Sequence, residues 1–155
     1  MINVNDLRAM TRKNLLEYLD GKSSKKLCIN TYVNKVDNTI IVRYHGTDIL
    51  CYWVNLATNT EFIQLNNGGW MTSTTKHRMK RLSGLNVHQI DGDWYVSDAL
   101  PWNTIPFENN MVFHRLHPDT KSYYVWRIGY PAITQGSTSV DPKQQLLPFT
   151  EWVAN

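Results

Sequence analysis

The sequence has little cysteine and no long apolar run. Its 155 residues include two cysteines, Cys28 and Cys51, in no Cys-x-x-Cys pair and at no zinc-type spacing. Two reduced thiols are expected, with a single disulfide as the alternative. No stretch approaches the roughly 20 apolar residues of a membrane-spanning helix, and the charged N-terminus lacks the apolar segment of a signal peptide. These absences predict a soluble, intracellular protein with no membrane partner.

Charge is also sparse, at 19% of residues against 42% that are hydrophobic. That balance excludes wholesale disorder, which requires low hydrophobicity and high net charge. A net charge of +3 permits an anionic partner without demanding one. The sequence contains no phosphate-binding P-loop, no dinucleotide-binding glycine pattern and no serine nucleophile elbow, so the enzyme classes that carry these motifs are not indicated.

Aromatic residues, by contrast, are abundant, with six Trp, eight Tyr and four Phe. They serve either a β-rich core or a stacking surface, and the core is the favoured explanation. The chain length predicts a single domain over residues 1–155. Within it we distinguish a motif-bearing core, residues 39–96, from an extension, residues 101–155.

The N-terminal half predicts one helix and several strands. Apolar spacing predicts a helix over residues 5–19, capped by Asn5 or Asp6, and then a polar linker over 22–26. Residues 27–54 are rich in β-branched and aromatic side chains and predict two or three strands, in one of which Ile40, Val42 and Tyr44 alternate and could share a face. Their turns are expected at Asp37-Asn38 and at Gly46, and a short strand over 61–65 follows.

The second half predicts a short basic helix between turns. Asn66-Asn67-Gly68-Gly69 is the strongest turn signal, because Asn and Gly tolerate positive φ. The helix is expected to be capped by Ser73, Thr74 or Thr75 and to end at Ser83-Gly84, and a hairpin turning at Asp91-Gly92 follows. Residues 101–110 look irregular, and another hairpin is expected to turn at His117-Pro118-Asp119. The fold class is therefore α+β, with an N-terminal helix, an antiparallel sheet with one short basic helix, and a β-rich C-terminal extension.

The stretch Gly68–Arg81, GGWMTSTTKHRMKR, predicts an anion site. The first turn of a helix has unpaired N–H groups and the positive end of the helix dipole, so it attracts phosphate. Cations in that turn are unfavourable unless an anion is present. An ordinary solvated basic helix is the alternative, and Trp70 is either a stacking platform or a core residue. The predicted ligand-binding residues are Trp70, Thr74, Thr75, Lys76, Arg78, Lys80 and Arg81.

Two weaker patterns suggest chemistry. His45, Thr47 and Asp48 could form a catalytic cluster in which Asp48 orients a His45 general base. A single His-x-Thr triplet falls short of the two that a two-histidine phosphoesterase carries, and a turn capped by Thr47 or Asp48 is the alternative. His114, His117 and Asp119 resemble part of a zinc site, but further ligands are lacking. We therefore expect no metal and no cofactor.

Residues 39–96 resemble a group of small bacteriophage proteins of unknown function. In that group a strand ending in His-x-Thr-Asp precedes a Gly-Gly-Trp turn and a Thr-Thr-Lys-x-Arg helix start, and a hairpin ending in Trp-aromatic-Val follows. Lys80 stands where the group often has Asn, which makes this helix more basic. The matching positions are His45, Thr47, Asp48, Gly68, Gly69, Trp70, Thr72, Thr74, Thr75, Lys76, Arg78, Trp94, Tyr95 and Val96.

The resemblance implies a viral setting and no particular activity. The leading hypothesis is a non-enzymatic phage protein that binds nucleic acid or another phosphate-bearing ligand in the host cytoplasm. A protein-interaction or virion component, or an inhibitor of a host enzyme, is the alternative, with a host or phage protein as its partner. A nucleotide phosphoesterase that uses His45 is the third hypothesis.

Overall fold

The computed structural model describes residues 1–97, 104–115 and 126–127. The described part is α+β, as predicted, and strand is its most abundant element, at 45% of residues. Its helices are a short 3-10 helix, Val4–Asp6, and two α-helices, α1 (Arg12–Leu19) and α2 (Ser73–Ser83). Its strands are β1 (Ser24–Cys28), β2 (Thr31–Val36), β3 (Thr39–Tyr44), β4 (Thr47–Asn55), β5 (Thr60–Leu65), β6 (Asn86–Ile90), β7 (Asp93–Ser97), β8 (Thr104–Pro106), β9 (Met111–Arg115) and β10 (Trp126–Arg127).

The strands form two antiparallel sheets. The larger has seven strands in the order β1-β2-β3-β4-β5-β9-β10, and the smaller has three in the order β6-β7-β8. Strands β1 to β5 follow one another as a meander, and β9 then pairs with β5. Within the described residues, no helix has the length and apolar character needed to span a bilayer.

The inner face of the seven-stranded sheet builds the core. On β3 the alternating residues Ile40, Val42 and Tyr44 are buried, as their spacing predicted. Both α-helices contribute to the same core, with Leu15 and Leu19 from α1 and a buried apolar pair from α2. That pair is Met79 and Leu82.

The first α-helix begins later than predicted. The sequence suggested residues 5–19 with Asn5 or Asp6 as the cap, whereas α1 starts at Arg12. Thr11 and Asn14 form a reciprocal capping box, in which each side chain accepts a hydrogen bond from the other's backbone N–H at 3.0 Å. Leu7 is buried although it lies outside the helix. The apolar spacing therefore predicted the burial of Leu7 correctly but its helical conformation wrongly.

Two segments predicted to be irregular contain strands. The polar linker over 22–26 enters β1, which pairs with β2, and residues 27–54 therefore lie in four strands rather than two or three. Lysines are suited to an edge strand such as β1, because they discourage pairing with another chain. Similarly, β8 lies within 101–110 and pairs with β7.

The predicted turns are confirmed wherever the structure describes them. Asp37 and Asp91 adopt positive φ at their hairpins, and Gly84 ends α2 in the left-handed region. Strands β9 and β10 pair as the two sides of the predicted C-terminal hairpin. The turn expected at His117-Pro118-Asp119 lies outside the described residues. Both cysteines are free thiols, as expected.

Candidate functional site

The Asn-Asn-Gly-Gly turn brings the start of α2 next to the β3–β4 turn. The Asn66 N–H donates to the Ile49 carbonyl at 3.0 Å, where a bulge interrupts the β3–β4 pairing. Gly68 has φ 62, and a Cβ added there would lie 2.8 Å from Thr47 Cγ2. Glycine is therefore required at residue 68 both for its backbone conformation and for the close approach to Thr47.

The N-cap of helix α2 lies one residue before the earliest predicted cap. Thr72, rather than Ser73, Thr74 or Thr75, is the N-cap, and its Oγ1 accepts from the Thr75 N–H at 3.3 Å. The Thr72 hydroxyl also donates to Thr75 Oγ1 at 3.0 Å. The remaining N–H groups of the first turn have no partner within the helix. These N–H groups are therefore the donors that this helix start can offer to a ligand, because the Thr74 hydroxyl already lies 3.2 Å from Thr72 Oγ1.

A pocket of about 470 Å³ lies between this helix start and the β3–β4 turn. Trp70 forms part of its wall and is 64% exposed. The core interpretation of Trp70 is therefore wrong, and the indole is available for contact with a ligand. The residues that line the pocket are Tyr44, His45, Gly46, Thr47, Trp70, Thr72, Thr74 and Thr75.

Arg78 does not itself line the pocket, but it contacts Tyr44, which does. Its side chain is buried at 6% exposure, and its Cζ lies 4.9 Å from the centre of the Tyr44 ring, which is part of the pocket wall. The Nε atom is buried without a hydrogen-bond partner. Across the described ranges, the guanidinium forms no hydrogen bond or ion pair. Burial of a cation without a counterion is costly, and stacking on Tyr44 offsets only part of that cost.

The other predicted cations do not converge on the pocket. Lys76 points toward the smaller sheet, where its Nζ donates to Gln89 Oε1 at 3.1 Å and lies 5.9 Å from the Trp94 ring. Lys80 and Arg81 are exposed near the other end of α2. There they line, together with Arg8, a second hollow of about 630 Å³. The basic stretch is therefore divided between two places along the helix.

His77 also lies in this basic helix. Burial, together with the neighbouring cations Arg78, Arg81 and Lys80, lowers the pKa of His77 from its ordinary value of 6.5. Its Nδ1 is buried without a hydrogen-bond partner. The imidazole is therefore neutral at pH 7 and adds no charge to the site.

The proposed catalytic cluster is only partly assembled. His45 and Thr47 line the pocket, and the His45 ring packs edge-on against Tyr44 with centroids 4.5 Å apart. The Asp48 carboxylate instead lies 3.3 Å from the Arg43 guanidinium. No hydrogen bond joins His45 to Asp48 in the part of the chain that the structure describes. Asp48 therefore does not orient His45 as the hypothesis required.

The proposed metal fragment is described only at His114. This residue is buried on β9, with its ring centroid 6.4 Å from that of Phe62. His117 and Asp119 lie outside the described residues. Among those that are described, no three potential ligands come together.

Sequence reasoning missed three residues that lie at the Trp70 pocket or at the second hollow. Tyr44 was predicted to share a strand face with Ile40 and Val42, but nothing local indicated that its ring would contact an arginine 34 positions later. Thr72 opens the hydroxyl run and could have been weighed as the cap. Arg8 had been assigned to a helix, whereas the Met10 N–H donates to the Leu82 carbonyl at 2.9 Å and holds its segment beside the end of α2.

The comparisons with known proteins identify a family. A family model described as Kyanoviridae Gp96 protein matches residues 7–114, which is more than half of the chain. No curated protein and no solved structure matches. The matched range supports the expected relation to a group of phage proteins and extends beyond the 39–96 region on which that expectation was based. The individual motif correspondences stay predictions.

Proposed function

Since the chain belongs to the Kyanoviridae Gp96 protein family of phage proteins, we propose that it is a non-enzymatic phage protein that binds a phosphate-bearing ligand. The binding site is the pocket between the start of α2 and the β3–β4 turn. The ligand's phosphate lies at the helix start, and a flat ring, such as a nucleobase, lies against Trp70.

The observation that carries this proposal is the buried, unpaired Arg78. Side chains on a helix lean toward its N-terminus, so a residue in the second turn covers the first. Arg78 is three and four positions after Thr75 and Thr74, both of which line the pocket. Its guanidinium stacks on Tyr44, which belongs to the same wall. A phosphate in the pocket would supply the counterion that this cation lacks.

Other groups favour the same ligand. The N–H groups at the start of α2 and the helix dipole attract an anion. The described residues that line the pocket include hydroxyl donors and no carboxylate. The exposed Trp70 ring adds a stacking surface, and stacking of a base on an aromatic side chain contributes about 1–3 kcal/mol. These features together select a phosphate joined to a planar group rather than a simple inorganic anion.

Isothermal titration calorimetry with a nucleoside 5′-monophosphate tests the proposal, with the matching nucleoside as the ligand control. We expect the monophosphate to bind and the nucleoside, which lacks the anion, not to bind. Arg78→Met should abolish binding, whereas Lys35→Met, which removes an exposed cation on β2, should leave it unchanged. Equal binding of nucleoside and monophosphate, or an Arg78→Met variant with parental affinity, would refute the proposal.

A second candidate function is contact with a phage or host protein, as a virion component or an inhibitor of a host enzyme. It is favoured by the adjacent Trp70 and Met71, which are 64% and 52% exposed, because aromatic residues and Met are enriched in the cores of interfaces. Here Trp70→Ala/Met71→Ala should abolish self-association, or co-purification with phage particles, at low and high salt alike. Association that survives the double substitution would contradict this candidate.

A further inference from the structure

We infer that the ligand is single-stranded nucleic acid, and that it runs from the Trp70 pocket along α2 to a second cationic hollow at the end of that helix. The inference rests on the proposed function, because the pocket supplies the first phosphate and base contacts. The second hollow then binds further phosphates of the same strand.

The spacing of residues on α2 supports a continuous path. Thr74 and Arg81 are at positions i and i+7, which share one side of a helix, and both are exposed. At about 1.5 Å per residue, Thr74 and Arg81 are separated by roughly 10 Å along the axis. Phosphates of one strand are about 3.4 Å apart along a duplex axis and further apart in an extended strand. The path therefore accommodates on the order of two to three phosphates.

The second hollow has the charge that such a path requires. Its described lining includes Arg8, Lys80 and Arg81 and no carboxylate. Lys80 and Arg81 alone are explained by the helix dipole, which favours cations in the last turn. Arg8 is not explained in this way, because it belongs to the segment that the Met10–Leu82 hydrogen bond holds against the helix end. Tertiary structure therefore adds an exposed cation from a distant part of the sequence to the same hollow.

The exposed Trp70 favours a single strand over a duplex. Its stacking surface requires an unpaired base, whereas the bases of a duplex already stack on one another. The pocket volume of about 470 Å³ also suits one nucleotide unit rather than a duplex end. Single-stranded DNA and RNA share the chemistry that the path recognises, and the experiment separates them.

Fluorescence anisotropy with short labelled single-stranded DNA, single-stranded RNA and duplex DNA, measured over a range of salt concentrations, tests the inference. The variant is Arg8→Ala/Arg81→Ala, and the matched control is Lys22→Ala/Lys35→Ala, which removes two exposed cations near β1 and β2. We expect the parent to prefer a single strand. The variant should lower the slope of log affinity against log salt by about 1.4, from two lost contacts at 0.7 each. The control variant should leave that slope unchanged.

Calorimetry with the nucleoside 5′-monophosphate distinguishes failure of the proposed path from failure of the proposed function. The Arg8→Ala/Arg81→Ala variant should bind the monophosphate as the parent does, because both substitutions lie outside the pocket. An unchanged salt slope in that variant, tighter binding of duplex, or no binding of any oligonucleotide would overturn the path, even where the monophosphate still binds. Failure of the monophosphate to bind the parent would instead overturn the proposed pocket. Thermal unfolding of each variant confirms that it is folded.

Discussion

Replacement of Arg78 by Met should make the ligand-free protein more stable. Arg78 is 6% exposed as a residue, its Nε is buried without a hydrogen-bond partner, and its guanidinium lies over the Tyr44 ring. Loss of the cation–π contact costs about 0.5–2 kcal/mol. Removal of a buried ion that lacks a partner, with the apolar stem retained, recovers the larger desolvation penalty. We expect a net gain of roughly 1–2 kcal/mol in the free energy of unfolding.

Urea denaturation, followed by circular dichroism, measures this change. The matched control is Arg81→Met on the same helix, which removes an exposed cation and should change stability by less than about 0.5 kcal/mol. At a nucleoside monophosphate concentration of about 100 times its Kd, the parent should gain about 2.7 kcal/mol and Arg78→Met nothing, so the order of stabilities reverses.

A different result would refute the reasoning. If Arg78→Met destabilises the ligand-free protein by more than about 2 kcal/mol, then Arg78 stabilises the fold through its contact with Tyr44, at the upper end of such interactions. The absence of a counterion would then no longer indicate a ligand. If both proteins gain the same stability from the monophosphate, the ligand binds elsewhere.

Three further predictions concern residues around the site. Gly68→Ala should destabilise the protein by at least ~1 kcal/mol more than Gly69→Ala. Both glycines have positive φ, but of the two only residue 68 has atoms within 3 Å of an added Cβ. Equal losses of stability for the two variants in urea denaturation would contradict the close approach to Thr47. Burial chiefly lowers the pKa of His77 below 6.5 in the folded protein. The unfolded state therefore takes up the proton first as the pH falls, and the free energy of unfolding should decrease below pH 6.5. His77→Gln should reduce that decrease. Identical pH profiles of unfolding free energy for the parent and this variant would contradict the pKa shift. Burial and the nearby Asp48 raise the pKa of Cys51 to about 11. The alkylation rate of Cys51 in the folded protein, followed by mass spectrometry, should therefore still be rising at pH 10. A plateau of that rate above pH 9, as for an ordinary thiol, would contradict the shift.

Local chemistry allowed most elements to be predicted. The turn at Asn66–Gly69, the hairpin at Asp91-Gly92 and the end of α2 at Gly84 all follow from residues that tolerate positive φ. The alternation of Ile40, Val42 and Tyr44 correctly identified one face of a strand. The first helix was predicted less well, because apolar spacing alone could not distinguish a buried extended segment from a helical turn. Only the Thr11–Asn14 capping box marks its start.

The candidate site could be predicted only in part. The hydroxyl run and Trp70 were correctly placed together at the start of a helix, and the threonines of that run line one pocket with Trp70, His45 and Thr47. The cations were treated as one group, yet Lys76 contacts Gln89 and Arg81 lies at the far end of the helix. A run of consecutive basic residues does not show which side of the helix will pack against a sheet.

The sequence by itself determined where the chain turns, which strand faces are apolar, and that a basic helix follows a glycine turn, because backbone conformation and side-chain periodicity are local properties. Only the tertiary structure decided which of the cations is buried. Arg78 became so because sheet strand β3 and helix α2 meet at Tyr44. Likewise, Arg8 joined Arg81 because a backbone hydrogen bond holds two distant segments together. Burial and proximity arise from contacts between residues far apart in the chain, and those contacts place two separate hollows beside this basic helix.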